Sequence, residues 1–424
     1  MNIQDNSRLT NNNVNKALIN SIKNKFNNSA LKHKRIEYFD WLRILCCFSV
    51  IVIHNSSQWY SSQIRSYEWK ICNFYHNITR FGVPIFFMIS GTLFLEKDIS
   101  FGIMLNKYIK CIYIKLLFWS FFYSMREKII YKNDYKKTFI NFLNGHFHLW
   151  FLFTICGLYL ITPFIKQITK EEKLFKIFLV LNILISILFP NLLTLISYNF
   201  EDYYNTLDKL ISKFGLNYFF SPYQMYYIFG FYLNRFNIKP LFRIIIYILG
   251  IFITIFTFQM TYYISLKKNE KINFFSSFYI NVFFASIGVF VFFKYNFNNL
   301  KYKRSIKEFI QKIGRLTFGI YIIHPFVIVE LNKRFNMNNL SFEPLYSIPI
   351  NSLIIFLISL ILVYIIKLIP FINQFNKLIN ILIKEIKQIF LEIIYIFLLY
   401  KFIILSLIFN YYDLYFYYNT LLFY

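Results

Sequence analysis

Apolar runs of about twenty residues recur along this chain from Tyr38 onward, each bounded by a short polar or charged segment. A helix rising 1.5 Å per residue needs about that length to cross roughly 30 Å of hydrocarbon. Ten candidate spans follow, at about 38–57, 81–95, 108–125, 147–165, 174–197, 218–234, 241–265, 274–294, 313–331 and 345–367. The pattern predicts an all-α integral membrane protein. Pro190 and its polar neighbours blur the end of the fifth span, because proline removes a helical N–H.

Charge sets the expected orientation. Residues 1–35 form a polar, basic stretch that reads as a disordered cytoplasmic tail, with Lys23, Lys25, Lys32, Lys34 and Arg35 just before the first span. No apolar core marks a cleavable signal, so the first span is expected to act as the membrane signal. Ten spans then return the chain to the cytoplasm. Lys97, Lys107, Lys166, Lys170, Arg235, Lys239 and the stretch from Lys294 to Arg315 fall in expected inner loops. The expected outer loop 198–217 is nearly balanced, whereas the outer loop 126–146 runs against the rule with Arg126, Lys128, Lys132, Lys136 and Lys137. Three regions are expected: the tail 1–35, a ten-helix domain 36–370, and a hydrophobic extension 371–424. In the extension, 389–409 reads either as an eleventh span or as a helix along the inner interface, since Glu392 and Lys401 interrupt it.

Composition changes the picture little. The chain is 57% hydrophobic and 22% aromatic, with a net charge of +26. Such a charge would suggest nucleic acid in a soluble domain, but here the cations sit in tails and loops of a chain enriched throughout in Lys, Asn, Ile, Phe and Tyr. No nucleic acid is expected, and the bias suggests an AT-rich bacterial source. Cys46, Cys47, Cys111 and Cys156 read as apolar filler, while Cys72 is placed in a loop without a role.

The candidate chemistry begins in the first span, YFDWLRILCCFSVIVIHNSS. Arg43 and His54 are eleven residues apart, within about 20° of one helix face and about 16 Å along the axis. An ionisable ring inside a span faces the protein interior or a wet cavity and marks a functional candidate, the plainer reading being a helix-end hydrogen bond. Asp40, three residues from Arg43, is expected to pair with it or orient it. The topology puts His54, His146, His148 and His324 in the outer half of the membrane. His146 and His148 are expected to diverge, and no HxxxH or Cys–His spacing supports a metal. General-base chemistry fits imidazole better. In the second span, FGVPIFFMISGTLFLEK, Ser90 and Gly91 read as a close helix contact, with a serine nucleophile as the alternative. Lys107 and Lys110 can share a face and hold a phosphate, or act as inner anchors. Trp150 reads as an interface aromatic or a pocket residue.

In order along the chain, FDWLRILCCFSVIVIH, VPIFFMISGTLFL, HLWFLFTICGLYLITPF and FGIYIIHPFVI resemble the membrane-bound acyltransferase 3 family over about residues 36–370. The resemblance is greatest to O-acetyltransferases of cell-envelope polysaccharide, of the enterobacterial common antigen type. It implies ten membrane helices in a bacterial inner membrane. It further implies transfer of an acyl group, acetyl above all, from cytoplasmic acyl-CoA to a hydroxyl of an envelope glycan or lipid-linked sugar. The family's basic-x10-His pair falls on Arg43 and His54, which implies His54 as base with Arg43 toward the donor. Lys107 and Lys110 stand where relatives carry a paired-arginine motif for CoA phosphates, and lysine lacks arginine's two-pronged grip. Asp40, Ser90, His148, Trp150, Tyr321 and His324 are then expected to line the substrate path. A transporter or flippase of glycan intermediates is the other reading, since it also uses ionisable groups within spans, but no internal repeat supports it.

Overall fold

In a computed structural model, residues 35–57, 62–197, 213, 220–271, 279–298 and 300–368 are described. The basic tail up to residue 34, the loop 198–212 and the 389–409 segment lie outside the described residues. Among those described, the regular structure is helical, without strands. The principal helices are α1 (Tyr38–Asn55), α2 (Tyr67–Ile78), α3 (Gly82–Leu95), α4 (Lys110–Tyr131), α5 (Tyr135–Asn144), α6 (Trp150–Ile168), α7 (Glu172–Ile183), α8 (Phe189–Ser197), α9 (Pro222–Arg235), α10 (Pro240–Lys268), α11 (Ile280–Phe297), α12 (Arg304–Phe335) and α13 (Pro344–Leu368).

Each of the ten expected spans falls on a helix or a helical run. Eight runs among the described residues are long and apolar enough to cross a membrane. The third expected span lies in α4 and the sixth in α9, which is only 14 residues long. Boundaries moved where polar residues hid a helix. α2 precedes the expected second span and joins α3 in one apolar run, Tyr67–Leu95. The expected outer loop 126–146 is mostly the end of α4 and all of α5. α12 starts at Arg304, so Arg315 stands three turns into a helix rather than at a loop's edge.

Proline at 190 does not end the fifth span. A π-helical turn, Leu184–Leu188, precedes it, and Asn191 Nδ2 donates to the Ile187 carbonyl at 2.6 Å. This is the ordinary way a helix absorbs an interruption. Asn191 Oδ1 also accepts from the Ile280 N–H at 3.2 Å, at the start of α11.

The described residues form two compact units, the first within 35–104 and 157–357 and the second within 105–156 and 358–368. In the first, α1 packs against α3, α11 and α12, and α3 against α9. The closest contact is between α3 and α9. A Cβ on Gly91 would sit 1.7 Å from the Tyr227 carbonyl oxygen, and one on Gly230 would sit 2.2 Å from that of Met88. Only glycine lets two helix backbones touch in this way, so Gly91 has the contact role expected of the Ser90–Gly91 pair. Cys72 is not in a loop. It is buried in α2 against Val52, Trp69 and Ile348, and its sulfur accepts from Asn339 Nδ2 at 3.4 Å.

The second unit holds a helical hairpin. Asn141 Nδ2 donates to Glu127 Oε2 at 2.7 Å, tying α5 to α4. Gly145, at φ 72°, turns the chain from α5 toward α6 through a conformation that favours glycine.

Candidate active site

Three levels of contact run along α1 and α12, and they fix the two helices as parallel. At the first, a Cβ on Gly314 would lie 2.7 Å from Asp40 Oδ1, so glycine makes room for the carboxylate. At the second, the Cys47 thiol donates to the Thr317 carbonyl at 3.5 Å. At the third, the His54 and His324 rings lie 5.1 Å apart, tilted by 32°. Both numberings rise together. Arg43 and Arg315 therefore belong to one end of the pair, and the two histidines lie two to three turns further on.

The first end is built around Asp40, which is 1% exposed. Arg35 grips it with two bonds, Nε to Oδ2 and Nη2 to Oδ1, each 2.7 Å. Arg43 Nη1 donates to Oδ1 at 3.1 Å. The expected Asp40–Arg43 pair is thus present, with a second arginine added. One carboxylate shared by two guanidiniums leaves a net positive charge and spare N–H donors. These face a cavity of about 720 Å³, lined by Arg35, Arg43, Lys97 and Arg315, with Glu96 as the acid on its wall. That volume is in the range of small-molecule sites, and the excess of cations suits an anionic ligand.

Lys97 stands beside a further ion pair, in which Lys166 Nζ lies 2.7 Å from Asp98 and also donates to the Lys97 carbonyl. The bond from Lys166 holds the exposed Asp98 carboxyl below its usual range.

At the second end His324 is fully buried, and His54 is partly exposed. His324 Nδ1 lies 2.6 Å from the Tyr321 carbonyl oxygen. A carbonyl only accepts, so Nδ1 carries a proton, and in the neutral form of the ring Nε2 is then the acceptor. Tyr321 is itself buried, its ring 5.9 Å from that of His324. The far end of α1 is anchored to α13, where Asn55 Nδ2 donates to the Ile348 carbonyl and to Ser352 Oγ, each at 3.1 Å. Imidazole nitrogens both accept and donate protons, so this end of α1 carries the kind of group that general acid–base chemistry uses.

Ser90, half-buried on α3, lies one turn beyond Leu93, which lines the cavity. The remaining expected residues belong to the second unit. His148 is buried, and His146 Nδ1 lies 2.7 Å from His148 Nδ1. The two rings converge rather than diverge, because His146 is extended and a 3₁₀ turn, Phe147–Leu149, follows it at once. Tyr123 stacks on His146 at 4.2 Å. Trp150 is 39% exposed. Lys107 lies in a π-helical turn, Met104–Ile109, and Lys110 in the α-helix that follows. The wider π turn removes the shared face that an α-helical spacing of three would give.

Sequence reasoning missed Arg35, Lys97 and Arg315 as cavity residues, because each also reads as an inner-side anchor. It missed His76, buried on α2, because that helix was taken for a loop.

The sequence as a whole points the same way as this geometry. No curated protein and no solved structure matches the chain. A family model described as an acyltransferase domain matches residues 36–371, which takes in every element from α1 to α13. The helical, multi-pass architecture and that match together place the chain in the acyltransferase 3 family of membrane proteins.

Proposed function

We propose that this protein is a membrane O-acyltransferase that moves an acyl group, most simply acetyl, from cytoplasmic acyl-CoA to a hydroxyl of a bacterial cell-envelope sugar. The observation that carries the reading is the division of α1. A cation-lined cavity surrounds Arg43, and a pair of imidazoles, His54 and His324, stands two to three turns away.

In this reading the CoA phosphates lie against Arg35, Arg43, Lys97 and Arg315, where guanidinium forks match phosphate oxygens. For Lys107 and Lys110, on the second unit, phosphate binding stays as the family resemblance implies it. The thioester reaches along α1 past Ser90 toward His54. His54 takes the proton of the acceptor hydroxyl as its oxygen attacks the thioester carbonyl. The C–O bond forms, the C–S bond breaks, and the imidazolium returns its proton to the leaving thiolate. His324, with its proton fixed on Nδ1 toward Tyr321, offers Nε2 to the same space and keeps the base oriented. Asp40 holds Arg43 in place. For His148 and Trp150, on the second unit, a substrate-lining role stays as the family resemblance implies it. No metal takes part in this scheme. The protein belongs, in this reading, to the bacterial inner membrane, with its donor on the cytoplasmic side.

The test is transfer of labelled acetyl from acetyl-CoA into envelope glycan by membranes holding the wild type or His54→Ala at equal protein. Label in the wild type and its loss in the variant supports the reading. Equal label in both removes His54 from the mechanism. No label in either, across a range of acyl-CoA donors, turns the reading toward a transporter of glycan intermediates.

A further inference from the structure

One face of α2 carries polar groups that the reaction scheme above does not use. Trp69, Asn73, His76 and Asn77 recur at spacings of three and four, so they share a side of the helix, and Arg80 follows in the turn just past its end. Asn73 is fully buried and Asn77 is 3% exposed. Among the described residues neither amide finds a hydrogen-bond partner for its nitrogen or its oxygen, and the Trp69 indole N–H finds none either. Buried amides left in this state oppose folding, and apolar side chains of similar size would fit such positions better.

The neighbouring polar groups are engaged. Arg80 Nη2 contacts His76 Nε2, and His76 Nδ1 lies 3.3 Å from Ser56 Oγ. Ser56 Oγ in turn donates to the Val52 carbonyl at 2.8 Å. An arginine only donates, so His76 Nε2 accepts and Nδ1–H donates to Ser56. Ser56 is two residues past His54, and His54 lies within electrostatic reach of His76. The chain from Arg80 to Ser56 thus holds α2 beside the imidazole end of α1, while the amides of Asn73 and Asn77 stay unused on the same buried face.

We infer that Asn73 and Asn77, with the Trp69 indole N–H, form a subsite that recognises the hydroxyl groups of a sugar acceptor. The inference rests on the acyltransferase reading and names its acceptor end. The donor set selects the ligand class. Each primary amide offers two N–H donors and one carbonyl acceptor, and the indole adds a donor. A sugar's neighbouring hydroxyls both donate and accept, so they can satisfy both halves of each amide. A thioester carbonyl only accepts and would leave both amide oxygens unmet. An ion would gain no opposite charge from the two amides and the indole.

The test compares wild type with Asn73→Leu and Asn77→Leu. It uses labelled acetyl-CoA as donor and the envelope glycan fraction of the expression host as acceptor. The inference predicts that half-saturation by glycan rises at least about tenfold, that the KM for acetyl-CoA stays within about twofold, and that the melting temperature in detergent does not fall. Should the leucine variants fail to insert, the smaller Asn73→Ala and Asn77→Ala carry the same expectation for glycan. Unchanged glycan saturation, in a wild type that transfers label, overturns the subsite and leaves the acyltransferase reading intact. A lower melting temperature with proportionate loss toward both substrates makes the asparagines structural and also overturns it. A wild type that transfers no label overturns both.

Discussion

α1 and α10 are both apolar helices of membrane-spanning length, and they meet opposite surroundings. In α1's most apolar window 67% of residues are buried, against 6% in that of α10. α10 turns Ile244, Ile248, Ile251, Phe252, Ile255 and Phe256 outward and buries only Gly250, Thr261 and Ser265. α1 buries Asp40, Ser49 and Asn55 among its aliphatic residues. In water the most apolar helix would be innermost. In lipid the tails are as apolar as leucine, so burial goes to groups that need partners or close backbone approach. Of this pair, the less apolar helix is therefore the one to search for chemistry, and the more apolar one marks the surface against lipid.

Four changes put that comparison at risk. His54→Gln, inside α1, should lower transfer by about 10²–10⁴-fold, the usual worth of a positioned general base, read as labelled acetyl in glycan at equal protein. Gly91→Ala, at the α3–α9 contact, forces a methyl onto a backbone carbonyl. It should destabilise the fold by about 3 kcal/mol, seen as a lower melting temperature in detergent. Asp40→Asn leaves two guanidiniums facing each other without their shared carboxylate. It should cost about 2 kcal/mol, moderated from a fully buried pair because both arginines reach the cavity, and should weaken acyl-CoA binding in a direct titration. Phe252→Leu on α10, 63% exposed, should change stability by less than about 0.5 kcal/mol and leave transfer unaltered. A large effect at Phe252, or a small one at His54, would dissolve the contrast.

Much of this was legible in the sequence for a physical reason. Spans announce themselves by length and apolarity, so each of the ten expected positions falls on a helix among the described residues. The helical repeat put Arg43 and His54 on one face, and the alternation of spans put α1 and α12 parallel, as the Asp40–Gly314 and His54–His324 contacts have it. What stayed hidden was of two kinds. Arg35, Lys97 and Arg315 carry the same charge as topological anchors, and only three-dimensional convergence on one cavity separates the roles. α2 was hidden because Asn73, His76 and Asn77 break its apolar pattern, and their partners or prospective ligands are remote in sequence. The approach of His146 to His148 depends on a 3₁₀ turn that spacing alone does not specify.

The central claim is that α1 divides its work, with donor binding at the Arg43 end and proton transfer at His54. Titrating acyl-CoA into purified His54→Gln, and measuring turnover in the same preparation, tests it most directly. The account predicts donor affinity within about twofold of wild type with turnover lost. Donor affinity that falls along with turnover, or turnover that survives, would contradict it.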